Sequence, residues 1–524
     1  MKKRTLSLLL AVLLGLGLVP FDAAAAPSSG TCGVNDQLIW TLDEDGVLTI
    51  SGQGDIEARN MYDGNYKWPK ATAVVIEEGV TSIGDYFFKK SWSLTSVSLP
   101  DSLTEIGTGA FETCPVLERI NLPPNLTKLG PMAFSGCKSL GKIDLPKGVT
   151  EIGNGTFFGC ESMPSFRIPG WVTVIGAEAL SGCAGLRTLE IPASVTEIRD
   201  GAFSDCAGLQ TLTVEAGNPC FTVEDGVLYD RARTRLLYCP AGREGRVDVP
   251  EGVAVLDGRA FVGCAGLTEI RLPDSVTEIG SQAFAGCASL REMTLPDGLT
   301  SLPFRLFQNC GSLTGVRIPD SVQGLGNGVF SGCRSLTTIR IPEGVEIIPE
   351  DAFLSCSGLT SVTLPDSVYW LQPFSFCWCD HLKEIRLSGR LDRISWGAFG
   401  DCPALTDVYF SGSAERWQEL MENTPGYNDT LMTAALHEEP WLKTAAGEDG
   451  RCSVEAVFPQ QPDAAGYLCA AYREGRMLAV RRSEVPSFSF PALPEGYDDI
   501  RVFSLDGDGL PCCDTVRLSR SPRL

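Results

Sequence analysis

Apolar and polar positions recur along most of this chain with a strict period of 23 residues. A clear copy runs Ala133-Phe134-Ser135-Gly136-Cys137-Lys138-Ser139-Leu140-Gly141-Lys142-Ile143-Asp144-Leu145-Pro146, then through Val149 and Ile152 into the next copy. The phenylalanine position returns at Phe88, Phe111, Phe134, Phe157, Leu180 and Phe203, and again at Phe261, Phe284, Phe307, Phe330, Phe353, Phe376 and Phe399. Only the step from Phe203 to Phe261 departs from the period, at 58 residues. A repeat this short can bury its apolar face only against its neighbours, so the pattern predicts a solenoid. The I-x-L-P segment alternates apolar and polar residues, as a strand with one buried face does, and proline ends it by removing a ladder donor. The V-x-x-I segment and the Ala-Phe pair suit a tight turn or a short 3-10 segment on the opposite side.

Outside the repeat, the chain divides as follows. Residues 1–26 carry a basic start (Lys2, Lys3, Arg4), an apolar run from Leu6 to Val19 and small residues Ala23 to Ala26, the signature of an export signal. Residues 27–70 form an amino-terminal cap, because Leu38–Leu42, Asp43-Glu44-Asp45-Gly46 and Val47–Ile50 read as a β-hairpin. The solenoid occupies 71–410, with a hairpin and one irregular rung inserted near 215–250. A closing cap and linker fill 411–446. Short strand candidates from 447 to 524 predict a small all-β, sandwich-like domain.

Composition narrows the function. The net charge of −22 opposes binding to nucleic acid or anionic lipid. No apolar stretch is long enough to cross a bilayer. Twelve of the 20 cysteines fall on one column, Cys114 to Cys206 and Cys264 to Cys402. Export would favour disulfides, but stacked strands sit about 4.8 Å apart and a disulfide brings its Cβ atoms to about 3.8 Å. The column is therefore expected to hold small buried thiols. Off the column, Cys220 with Cys239 and Cys452 with Cys469 remain possible bridges. His381 and His437 belong to no triad or metal motif, and Asp506-Gly507-Asp508-Gly509 lacks the further ligands of a calcium loop. Neither an enzyme nor a cofactor is indicated.

These rungs resemble the BspA-like, or Treponema-type, leucine-rich repeats of bacterial surface proteins. The hairpin from Gly30 to Asp55 is similar to the module that precedes such arrays, and the likeness extends to about Pro440. It implies a right-handed leucine-rich-repeat solenoid, here of about 13 rungs, and a role in binding proteins or cell surfaces through the concave face; with the export signature this predicts a secreted or surface-retained, monomeric protein. An extracellular protein or surface glycan would be its partner. The resemblance implies no catalytic residues. The alternatives are a targeting arm of an extracellular polymer-acting protein and a spacer that presents the carboxyl-terminal domain.

Two features qualify as candidate sites. The residue between the I and L positions projects from the exposed sheet face: Ser98, Asn121, Asp144, Arg167, Glu190 and Thr213, then Arg271, Thr294, Arg317, Arg340, Thr363, Arg386 and Tyr409. The later half is an arginine stripe able to bind carboxylate, sulfate or phosphate; the alternative is local neutralisation, with Glu269 and Glu384 two residues before Arg271 and Arg386. The second feature is aromatic. Tyr369, Trp370, Trp378 and Trp396 stand at variable positions of two successive rungs, either as a protein or sugar contact or buried against the carboxyl-terminal domain.

Overall fold

A computed structural model describes residues 28–33, 36–58, 68 and 70–438, and beyond them the backbone of seven strands between 441 and 519. The export segment, the linker at 447–450, Asp506–Gly509 and the side chains of Cys452 and Cys469 lie outside the described residues. The chain forms two bodies, Met1–Ala232 with Leu237–Gly242, and Arg233–Leu236 with Arg243–Leu524.

The first body opens with the cap. Strands β1 (Ser28–Thr31), β2 (Leu38–Leu42) and β3 (Val47–Gly52) are antiparallel. Asp43 makes the turn by accepting the amides of Asp45 and Val47 on one carboxylate oxygen at 3.0 and 2.8 Å, and Gly46 supplies a φ of +81°. β3 then pairs in parallel with Ala73–Ile76, so the first rung has a bonded neighbour instead of an open edge.

Each rung adds to parallel ladders at a 23-residue offset, as when Glu292, Met293 and Thr294 pair with Gly315, Val316 and Arg317. The V-x-x-I segments differ from expectation. They form two-residue parallel strands, such as Ile347–Ile348, Trp370–Leu371 and Arg393–Ile394, and not turns or 3-10 segments. The Ala-Phe region does turn, and residues two before and two after the phenylalanine take left-handed backbone there; further turns close at the Pro-x-x-V and Cys-x-x-L segments, as from Pro319 to Val322 and from Cys310 to Leu313. Arg305 (φ +53°) and Asn309 (φ +59°) flank Phe307 in this way. The alternation aims the amides of Arg305, Phe307 and Asn309 at the carbonyls of Asn327, Val329 and Ser331, 2.7 to 2.9 Å away in the next rung. The tightest part of each rung is thus fully bonded without water.

About 15 turns result. Two go beyond the phenylalanine count, because the cap strand β3 and the inserted segment each make one. In the insertion, Phe221–Glu224 and Val227–Asp230 form an antiparallel hairpin. Buried Asn218 anchors it, donating to the carbonyls of Pro192 and Val195 and accepting from the amides of Cys220 and Phe221. Arg235-Leu236 then rejoins the parallel ladder against Val255-Leu256. Cys220 and Cys239 are not joined in a disulfide.

The core is a set of columns. Phenylalanine rings stack at 5.0 to 5.8 Å in both bodies. Where Leu180 replaces phenylalanine, Phe166 fills the gap by packing on Phe157 at 5.2 Å. The column cysteines are buried and form no disulfides. Their thiols donate to the phenylalanine carbonyl of the preceding rung, as Cys310 does to Phe284 and Cys333 to Phe307 at 3.1 and 3.2 Å. Cysteine suits the column because it is small and apolar yet satisfies a buried acceptor.

The second body closes with α1 (Ala414–Glu422), capped by the Ser413 hydroxyl accepting from the Arg416 amide, and with α2 (Asp429–Thr433). Buried Asn428 substitutes for the missing next rung: its side-chain oxygen accepts from the Phe399 amide at 2.9 Å. Ala435–Glu438 adds a last parallel strand to Asp407–Phe410. The strands beyond form two antiparallel sheets of three and four strands, the all-β module expected at this end.

Candidate functional site

The arginine stripe lies on the exposed face of the strand ladder in the second body, and its charges are already engaged. Arg271 pairs with Glu269 two residues away at 2.5 Å, as the sequence suggested. Arg317 and Arg340 instead reach Asp297 and Asp320 of the preceding rung, at 3.0 and 2.5 Å. These are single-contact pairs between well-exposed side chains, worth about 0–1 kcal/mol each. The Arg271 and Arg317 pairs border a shallow groove of about 840 Å³ that runs over Glu269, Arg271, Glu292, Thr294 and Arg317, and Arg340 borders the neighbouring one over Thr294, Arg317 and Ile339.

Arg386 is built differently. Its guanidinium lies 4.2 Å from the ring centre of Tyr409, and that ring stacks on His437 at 4.7 Å. His437 contacts Asp407 at 2.7 Å through Nε2. The Thr406 hydroxyl and then His437 hold the Asp407 carboxyl below its ordinary value. The stripe therefore ends in a layered stack, and its last member is His437, opposite Tyr409 in the closing strand.

The four aromatic candidates divide between two places. Tyr369 and Trp370 lie on or beside the V-x-x-I ladder; Tyr369 is 40% exposed. Trp370 is half-buried, with its indole N–H on the Ser395 hydroxyl at 2.9 Å and Arg393 over its ring. Trp378 and Trp396 lie on the Ala-Phe turns, each 49% exposed. Trp396 packs edge-to-face with Phe374 at 4.9 Å and stacks on Tyr427 at 5.0 Å. The Trp378 indole N–H and the Tyr427 hydroxyl both donate to Oδ2 of Asp401. Tyr427 and then Trp378 lower the Asp401 carboxyl, which in turn pushes the Tyr427 hydroxyl up to about 12. Phe374 and Trp378 both carry left-handed backbone, φ +57° and +59°, which costs a side chain larger than glycine about 1–2 kcal/mol.

A family model described as the BspA type leucine-rich repeat region matches six copies over residues 81–210, 245–357 and 300–421, more than half of the chain. The chain belongs to that family. No curated protein matches it. Among solved structures, a leucine-rich repeat protein from Eubacterium ventriosum is 26% identical with a TM-score of 0.47, over 72% of this chain and 90% of that one. A leucine rich cell surface protein from Faecalibacterium prausnitzii is 25% identical with a TM-score of 0.41, over 75% and 98%. The pneumococcal vaccine antigen PcpA is 20% identical with a TM-score of 0.49, over 78% and 100%.

In this BspA-type chain, sequence reading missed Phe374, Asp401 and Tyr427, and weighed His437 only as a catalytic or metal-binding residue. Tyr427 and His437 follow the last repeat, where α1 and α2 break the period and counting cannot place them. Phe374 and Asp401 carried a usable signal: they occupy the turn positions that hold glycine in other rungs, as at Gly397 and Gly136. Among the described residues no group of histidine, cysteine, aspartate and glutamate side chains could hold a metal, and no helix is long and apolar enough to cross a membrane.

Proposed function

We propose that this BspA-type protein is a non-enzymatic binding protein of the bacterial exterior. In this reading the strand face between Arg271 and Arg340 engages an acidic protein surface. The observation that carries it is the state of the arginines: each planar donor is held by one carboxylate contact at the border of one of two neighbouring open grooves. Such a pair is cheap to open, and a partner carboxylate can replace it with a bidentate contact. Consecutive rungs repeat the contact, so weak bonds sum over a large area. The amino-terminal export signature supports an extracellular setting.

The test is binding of the full-length protein to a panel of extracellular matrix proteins, compared with the double variant Arg317→Ser, Arg340→Ser. The variant should retain wild-type thermal stability and lose about tenfold or more in affinity for an acidic partner. Unchanged affinity would remove the stripe from the binding surface. Hydrolysis of any extracellular polymer by the purified protein would contradict the non-enzymatic reading.

A further inference from the structure

We propose that the turn edge carrying Trp378 and Trp396 is a binding platform for a neutral oligosaccharide, separate from the strand face. Three independent observations lead there.

The first is preorganisation. Trp396 is fixed between an edge-to-face contact with Phe374 and a stack on Tyr427. Trp378 is fixed by its N–H bond to Asp401, and the same carboxylate oxygen takes the Tyr427 hydroxyl. One acidic group thus ties the aromatic side chains of two turns and the closing segment together. A surface whose rings are already immobile loses little freedom on binding.

The second is what remains available. The indole N–H of Trp378 and the hydroxyl of Tyr427 are already used on Asp401, yet both tryptophans stay half exposed. Trp378 therefore offers ring surface and not its polar edge. The C–H face of a pyranose is flat, weakly positive and matched to an aromatic face. Trp378 follows Phe376 by two residues and Trp396 precedes Phe399 by three, so the rings occupy two different parts of successive turns. That separation fits consecutive sugars of a chain better than one ring. The exposed carboxylates of Asp380 and Asp401 supply acceptors for sugar hydroxyls and disfavour uronic and sialic acids.

The third is placement. Trp378 stands two residues after its phenylalanine with φ +59°, a place held by six glycines from Gly136 to Gly332 and by the polar residues Lys90, Thr113, Asp205, Asn309, Ser355 and Asp401 in the other rungs. Its ring does not enter the core. A large aromatic with an exposed ring is the exception at a place otherwise kept for glycine or polar residues, and it marks a contact surface.

The experiment is a glycan array followed by calorimetric titration of neutral β-glucan, xylan and mannan oligosaccharides into the full-length protein, Trp378→Gly and Trp396→Ala. Trp378→Gly relieves the backbone and should fold at least as well as wild type, which keeps the test clear of misfolding. The expected result is binding of a neutral oligosaccharide by wild type and at least a tenfold loss in each variant, with Arg317→Ser, Arg340→Ser unaffected. The proposal is overturned if wild type binds no neutral glycan or if both variants bind as wild type.

Discussion

Phe307→Ala should cost about 3–5 kcal/mol, toward the upper part of that range. Phe307 is fully buried and its ring is stacked between Phe284 and Phe330 at 5.4 and 5.5 Å. The cost of such a deletion depends on how far the surroundings collapse. Here they are held apart: the amides of Phe284 and Phe307 donate to Leu306 and Val329, which pins the rungs at their spacing. The cavity therefore persists. Leu180 shows what tolerance requires, since its smaller side chain is accompanied by Phe166 packing on Phe157. No such filler stands beside Phe307 in the column, where both neighbours are stacked rings. In a repeat array each rung bonds only to its neighbours, so the expected readout in urea is an early, separate transition with a lower midpoint. A midpoint within error of wild type would mean that the columns do not carry the fold.

The cysteine column should make the protein inert to thiol reagents and sensitive to alkali. Burial pushes the thiols of Cys183, Cys310 and Cys356 up to about 12 from an ordinary 9.0. Three units reduce the reactive thiolate about a thousandfold, before access is counted. At pH 8, iodoacetamide followed by peptide mass spectrometry should find Cys310 and Cys356 unmodified in the native protein and fully modified in urea, with half-buried Cys220 reacting first among the described residues. The linkage has a definite sign. Each of these thiols has a folded-state pKa above its unfolded value, so its contribution is intact below pH 9 and is lost as pH rises from 9 toward 12. Those three thiols alone steepen the fall by about 4 kcal/mol per pH unit in that window. A native protein equally stable at pH 8 and pH 10.5 would refute the neutral, buried column.

How much of this was legible beforehand follows from which contacts are local. The phenylalanine period revealed the solenoid, and strand spacing excluded disulfides along the cysteine column, because both depend only on the 23-residue offset. The Arg271–Glu269 pair was readable because its partners sit two apart on one strand. The partners of Arg317 and Arg340 lie 20 residues back, at Asp297 and Asp320; that contact crosses between rungs and depends on how far each side chain leans. The left-handed turns were hidden because non-glycine residues such as Arg305 and Asn309 also adopt them. Bonding to the next rung overrides the local cost there. The aromatic platform was half visible: two tryptophans were conspicuous, but Tyr427 and the shared Asp401 depend on the closing cap.

Carboxyl footprinting of the complex with an acidic matrix partner tests the central claim most directly. Carbodiimide labelling should be suppressed at Glu292 and Asp297, which line the groove, and at Asp320, which pairs with Arg340. Glu105 and Glu151, on the V-x-x-I ladder of the first body, should label as in the free protein. Protection confined to residues 441–519, with Glu292, Asp297 and Asp320 unchanged, would place binding in the carboxyl-terminal sheets and contradict a strand-face receptor.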